Sequence, residues 1–396
     1  MSTDAEIRWV PVREVGEVRM GKQLSPSSKE APGQFPYLRV ANVLHGRIDY
    51  SDVNFMGFSS AERETYSLRP GDILLNEGQS LGLVGRSAIY DGADGKYCYQ
   101  NTLVRFRPSR KVLPEYAQII FEWWLAAGVF AAIAKQTTSI AHLGGDRFGA
   151  LLFPLRPIPE QRRIVEVIDA VAVQERAIES SVAKLKTLKA AATESLLMQM
   201  SWESTLQEAI EGPPRNGYSP VESDAWTGVQ MLGLGCLTKG GFSPVQLKNA
   251  PSEQLSSHWA VLSDGELLMS RANTRELVGL VGVYRDIGTP CLYPDLMMRI
   301  RPSLRCSAEF LSIVLRSDRS RRAIQAMAQG TSESMVKISA GSVRDLPVPI
   351  PSVDEQRRVL GVAAAFDVEL RQLEVEMAKL RRLKVGLVDQ LLTGGV

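Results

Sequence analysis

A serine set between glycines, Gly78-Gln79-Ser80-Leu81-Gly82, has the G-x-S-x-G spacing that lifts a nucleophilic hydroxyl clear of a tight turn. It follows the apolar run Ile73-Leu74-Leu75, as a nucleophile elbow would. A hydrolase built on Ser80 would need His142 or His258 as its base and an acid to orient that base. The matching stretch of the second half, Ser270-Arg271-Ala272-Asn273-Thr274, lacks the spacing, so a polar loop before a shared turn is the better reading. No phosphate loop and no strand–G-x-G-x-x-G–helix unit is present, so nucleotide binding by this chain has no support. Cys98, Cys236, Cys291 and Cys306 form no C-x-x-C pair and the three histidines do not cluster. A zinc site is therefore not expected, and reduced thiols fit a cytoplasmic protein. What remains are polar loops: Asn76, Gln79, Ser80 and Arg86 in the first half, and Arg271, Asn273, Thr274 and Arg275 in the second. Arg and Lys match guanine edges, Asn and Gln match adenine, and all can hold phosphate. Any one of them alone also reads as a solvated surface group. Their recurrence in two halves favours binding, and Arg316, Arg319, Arg321 and Arg322 suggest a further phosphate-facing stripe.

The elements that must position these loops are duplicated. Glu160-Gln161-Arg162-Arg163 returns as Glu355-Gln356-Arg357-Arg358, and each copy opens a heptad-patterned segment. The first seam runs through Ile164, Ile168, Val171, Ile178, Val182, Leu185, Ala192 and Leu196, skipping Glu175 and Lys189. The second runs through Val359, Ala363, Phe366, Leu370, Leu373, Met377, Leu380, Leu387 and Leu391, skipping Lys384. Two such seams in one chain predict a coiled coil. Pro159 suits a first helical position, Ser352 with Glu355 predicts a capping box, and Gly394-Gly395 a stop.

The repeat extends into the segments before each helix. Pro70 to Leu75 aligns with Ser263 to Met269, and Tyr99 to Pro108 with Tyr293 to Pro302. Gly82-Leu83-Val84-Gly85 aligns with Gly279-Leu280-Val281-Gly282, while Tyr37 to Val43 finds only a loose partner in Val229 to Leu234. The apolar stretch Ile119 to Ala134 contains Glu122 and is short for a membrane span, so it reads as a buried amphipathic helix. Met1 to Met20 has no apolar run, and no secretory signal is expected. With 44% hydrophobic and 23% charged residues the chain has the balance of an ordinary folded protein, and a net charge of +2 only weakly favours an anionic partner.

Two α/β globules, each followed by a proline-marked connector, a Glu-Gln-Arg-Arg opening and a heptad helix, resemble the specificity subunit of type I restriction–modification systems. Pro157 to Arg163 and Pro349 to Arg358 carry the resemblance, with the paired Gly-Leu-Val-Gly turns in support. It implies an α+β fold with two similar target-recognition globules separated by two long antiparallel coiled-coil helices and a pseudo-twofold internal repeat. The expected divisions are 1–157 and 201–350 for the globules, and 158–200 and 351–396 for the helices. It also implies double-stranded DNA, two methyltransferase subunits and two restriction (motor-nuclease) subunits as partners, and no membrane. This chain would hold no cofactor, S-adenosylmethionine, ATP and magnesium being expected on the partners.

Candidate DNA contacts are Lys22, Arg39, Asn76, Gln79, Ser80, Arg86, Thr138, Ser139 and His142 in the first globule. In the second they are Lys239, Arg271, Asn273, Thr274, Arg275, Ser332, Ser334 and Lys337. Glu160, Gln161, Arg162, Arg163, Glu355, Gln356, Arg357 and Arg358 are the candidate partner contacts. The other readings are a protein-binding scaffold and the specificity portion of a related type II or phage-defence methyltransferase system.

Overall fold

The computed structural model of the chain describes residues 7–31, 33–136, 139–330 and 335–393. The expected contacts at Thr138, Ser332 and Ser334, and the helix stop at Gly394-Gly395, lie outside the described residues. The chain divides into two compact units: described residues up to Glu179 with those from Val375 onward, and Ser180–Glu374.

In the first unit the central sheet has four antiparallel strands in the spatial order Gly16–Met20, Leu103–Pro108, Ile73–Asn76, Ser87–Ile89. Side chains of a strand alternate between faces. Ile73 and Leu75 accordingly enter a core with Tyr116, Phe121, Phe148 and Phe153, while Leu74 enters another with Leu38, Tyr90 and Tyr99. Both faces are covered, which is why Ile73-Leu74-Leu75 reads as an unbroken apolar run. The outer layer is a smaller sheet, Asn54–Gly57, Gln34–Leu38 and Cys98–Tyr99, whose last pair is parallel.

The second unit repeats this plan. Its central sheet runs Arg215–Asn216, Met297–Ile300, Leu267–Ser270, Val281–Val283. Its smaller sheet is Leu247–Asn249, Gln230–Leu232 and Cys291–Leu292, again with the last pair parallel. The segment from Tyr37 therefore has a full structural counterpart, although few of its side chains match. One inner strand of each sheet, Leu103–Pro108 and Met297–Ile300, also carries a buried arginine. Arg105 donates to Glu17 Oε2 at 2.9 Å under the Tyr99 ring, and Arg299 donates to Glu266 Oε1 at 3.0 Å under the Tyr293 ring.

One sequence alignment is corrected. Gly85 N–H donates to Asn76 O and Gly279 N–H donates to Ser270 O, each at 2.8 Å. Gly85 thus matches Gly279, and Leu83-Val84-Gly85 matches Leu277-Val278-Gly279. Gly282 instead lies in a strand opposite Leu268. The shared constraint is steric: φ is +81° at Gly85 and +69° at Gly279, and a Cβ there would come within 2.2 Å of Phe130 or Ile324.

The helical stretch after each central sheet is broken in two. Pro114–Ala126 and Val129–Ile133 meet at Gly128, whose φ is +74°. Ala308–Arg316 and Asp318–Met327 meet at Ser317, whose side chain accepts from Ser320 N–H. Among the described residues no helix is long and apolar enough to cross a membrane. All four cysteines are buried. Burial pushes the Cys98 and Cys306 thiols up to about 11 and that of Cys291 up to about 12.

Ile158–Met198 and Val353–Thr393 are the long helices, and every seam residue is buried or half-buried. Ser352 and Glu355 form the expected capping box, with Ser352 N–H to Glu355 Oε2 at 2.9 Å and Glu355 N–H to Ser352 Oγ at 3.3 Å. The helices pair antiparallel within each unit. In the first, Ile164 and Ile168 share a core with Leu392 and Val388. In the second, Leu197 shares one with Val359. The charged residues that interrupt the heptads are partners: Glu175 binds Lys384 at 3.0 Å, and Lys189 binds Asp367. Arg381 adds a bond to Glu179 at 3.1 Å. Polar residues at seam positions fix register by excluding others.

Two outcomes follow for unfolding experiments on the whole chain. Glu175→Lys or Lys384→Glu alone should cost about 1–2 kcal/mol, and the double exchange should recover most of it. Gly85→Ala and Gly279→Ala should each cost about 2–4 kcal/mol. Gly82→Ala, with nothing within 4 Å of the added methyl, should stay within about 0.5 kcal/mol of the parent.

Candidate nucleic-acid interface

Beyond the ends of the inner strands Ile73–Asn76 and Leu267–Ser270 the chain forms a short β-ribbon. In the first unit Gly78–Gln79 pairs with Ala141–His142, which pairs in turn with Lys135–Gln136. In the second, Ala272–Asn273 pairs with Val336–Lys337, and Lys337 bridges to Gln329. The backbone bonds coincide. Glu77 N–H donates to Thr102 O and Glu77 O accepts from Leu143 N–H. Arg271 N–H likewise donates to Leu296 O, and its carbonyl accepts from Ile338 N–H. The turn that follows is shared as well. Gln79 Oε1 accepts from Ser80 N–H at 3.1 Å, and Asn273 Oδ1 from Thr274 N–H at 2.8 Å.

The ribbon gathers residues from distant parts of the sequence: Gln79, Ser80, Ser139 and His142 in one unit, Arg271, Asn273, Thr274 and Lys337 in the other. Ser80, Ser139 and Lys337 are exposed, and the rest are half-buried. A hydrolase elbow is not formed. Gly78–Gln79 is a ribbon strand, Ser80 leads into a turn rather than a helix, and His142 Nδ1 meets Glu77 Oε2 at 3.0 Å. Glu77 escaped sequence analysis because nothing in its local spacing connects it to a histidine so far along the chain.

Several expected contacts are held inside the globules instead. Asn76 is fully buried, its amide directed at Val43 O at 3.4 Å, so it offers nothing at the surface. Lys22 donates to Gly57 O at 2.7 Å and Glu62 Oε2 at 2.8 Å, with its ammonium over the Phe58 ring. Arg39 is half-buried and donates to Asp52 Oδ2 at 2.6 Å. Arg275 donates to Gln325 O and Ala328 O, closing the end of helix Asp318–Met327. Arg86 is half-buried, whereas Lys239 stands exposed beside Glu276. The arginine run divides: Arg316 and Arg321 are half-buried, Arg321 donating to Val278 O and Glu276 O, while Arg319, over the Trp202 ring, and Arg322, bonded to Asp318 O, are exposed.

The Glu-Gln-Arg-Arg openings separate by direction. Gln161 Oε1 accepts from Leu113 N–H at 2.8 Å, and its Nε2 donates to Lys111 O and Arg156 O. Gln356 does the same, accepting from Ser307 N–H at 3.1 Å and donating to Arg305 O and Pro351 O. Both glutamines are buried, so they latch each long helix to its own globule and present no face to a partner. Glu160 accepts from Arg156, which also donates to Leu391 O, and Glu355 serves the capping box. Hydrogen bonds from the Ser352 hydroxyl and backbone hold the Glu355 carboxyl below its usual range. Arg162, Arg163, Arg357 and Arg358 point outward, Arg357 making an exposed contact with Asp354.

Residues 6–187 match the family described as Type I restriction modification DNA specificity domain. The chain is similar to the Type I restriction enzyme EcoKI specificity subunit of Escherichia coli (strain K12), 24% identical with 91% of this chain and 82% of the relative covered. It is also similar to the Type I restriction enzyme MjaVIII specificity subunit of Methanocaldococcus jannaschii, 20% identical with 93% and 90% covered. A chain from a solved structure of the type I R-M system shares the fold, with a TM-score of 0.62, 18% identity and 99% of each chain covered.

Gln161→Ala and Gln356→Ala should each lower stability by about 2–3 kcal/mol, because each strands buried backbone groups. Thermal unfolding measures this, and charge reversal at the exposed Arg162 should leave the midpoint nearly unchanged.

Proposed function

We propose that this chain, which belongs with the specificity subunits of type I restriction–modification systems, is the non-catalytic part that reads a bipartite DNA site. Residues 1–157 and 201–350 act as the two target-recognition globules, each taking one half-site. Residues 158–200 and 351–396 set the unread spacer between the halves and dock methyltransferase subunits. The observation that supports this most is the duplicated ribbon: one backbone framework, presented twice, with different side chains on it.

A two-stranded β-ribbon fits a major groove, where each base pair shows a distinct pattern of donors and acceptors. Two such readers related by a pseudo-twofold repeat would meet two half-sites in opposite orientation. A 41-residue helix rises about 60 Å, against about 34 Å for a turn of DNA. That length suits readers set in separate turns of one duplex. The outward arginines Arg162, Arg163, Arg357 and Arg358 are the docking positions for two methyltransferase subunits, and two restriction subunits complete the assembly. S-adenosylmethionine, ATP and magnesium belong to those partners, and the assembly works in the cytoplasm.

Removing one heptad from each long helix tests the reading. The helices shorten by about 10 Å, so the spacer should contract by about three base pairs with both half-sites unchanged. Altered half-sites at constant spacer would refute it. Affinity for DNA should also fall steeply between 50 and 200 mM salt.

A further inference from the structure

We propose that Glu77 is a positioning residue that holds His142 in one tautomer. The first ribbon then presents a hydrogen-bond acceptor to DNA at the place where the second ribbon presents cations. This rests on the DNA-reading role proposed above and assigns the chemistry that each ribbon accepts.

His142 Nδ1 lies 3.0 Å from Glu77 Oε2, the glutamate side chain being 12% exposed and the histidine 44%. An ionised carboxylate can only accept, so Nδ1 must donate, and a neutral imidazole then carries its lone pair on Nε2. Both partners sit on fixed backbone. Glu77 is bonded on each side to Thr102 and Leu143, and His142 O accepts from Arg147 Nη2 at 2.7 Å. Across the ribbon the ring faces Gly78, where an added Cβ would meet Cε1 at 3.5 Å. A lone pair of this kind on a half-exposed ring matches an exocyclic amine, adenine N6 or cytosine N4.

The second unit holds Arg271 and Lys337 at the same two backbone sites. Both side chains only donate, and they match guanine N7 and O6 or phosphate. The second ribbon forms with two like charges at these positions, so a Glu–His contact is not what such a ribbon needs to fold. Elsewhere the scaffold keeps its chemistry, as with Arg105 and Arg299 or Gln161 and Gln356. On the ribbon the backbone bonding is kept while both side chains change, as expected of positions that read.

Two measurements on the full chain test this. The sequence holds three histidines, so nitrogen-15 histidine spectra at pH 8 can be assigned by losing one signal in His142→Ala. His142 should show the Nδ1–H form, reverting towards Nε2–H in Glu77→Ala. An Nε2–H form in the parent overturns the proposal without needing any Glu77 variant to fold. Selection from a randomised duplex library, with the methyltransferase partner bound, supplies the second readout. His142→Ala should lose, by about tenfold, the preference for adenine or cytosine at one position of one half-site. Glu77→Ala should weaken that same position and add nothing in the His142→Ala background. A split site that neither substitution alters overturns this inference alone, whereas a parent that selects no sequence removes the DNA-reading premise as well.

Discussion

A helix of 41 residues with an apolar stripe along its length can hide that stripe only against another helix of similar reach. Everything else in this chain is arranged around meeting that need twice. The two long helices cover each other's seams, and their sense is set within each unit by which residues share a core. Apolar contact alone would tolerate a slip by a heptad. Glu175 with Lys384, and Lys189 with Asp367, make such a slip costly, because it would leave charges half-buried without partners.

The globules are fastened to this framework by buried side-chain amides. A glutamine one turn into each long helix supplies one acceptor and two donors to the loop in front of a neighbouring helix and to the connector that precedes its own. Such a latch satisfies backbone groups that a helix start would otherwise leave open. The same logic recurs inside each sheet, where a buried arginine lies under a tyrosine and reaches a glutamate. With the framework held by these repeated contacts, ribbon residues are free to differ. Glu77 and His142 against Arg271 and Lys337 are the clearest case.

Much of this was legible in the chain itself. The heptads placed both helices, and the recurrence of Tyr99 to Pro108 as Tyr293 to Pro302 placed the central strands. The glycine alignment slipped because Gly-Leu-Val-Gly recurs as a string, whereas the constraint is a positive φ beside Phe130 or Ile324, which no string shows. The smaller sheets were hidden because they repeat as hydrogen bonding, not as residues. Gln161 and Gln356 looked like surface groups for a related reason: polarity in a sequence does not reveal a buried partner. Glu175, Lys189 and Lys384 appeared as gaps in the seams, and only three dimensions turn gaps into ion pairs. Arg321 was misplaced for want of burial information, since a run of charges says nothing about which carbonyls lie beneath one member of it.

Sequencing of methylated adenines across the genome, in cells expressing this chain with the methyltransferase proposed as its partner, is the most direct trial of the account. Two short, unlike half-sites at one constant separation are the predicted result. A single uninterrupted motif, or half-sites whose separation varies freely, would contradict it.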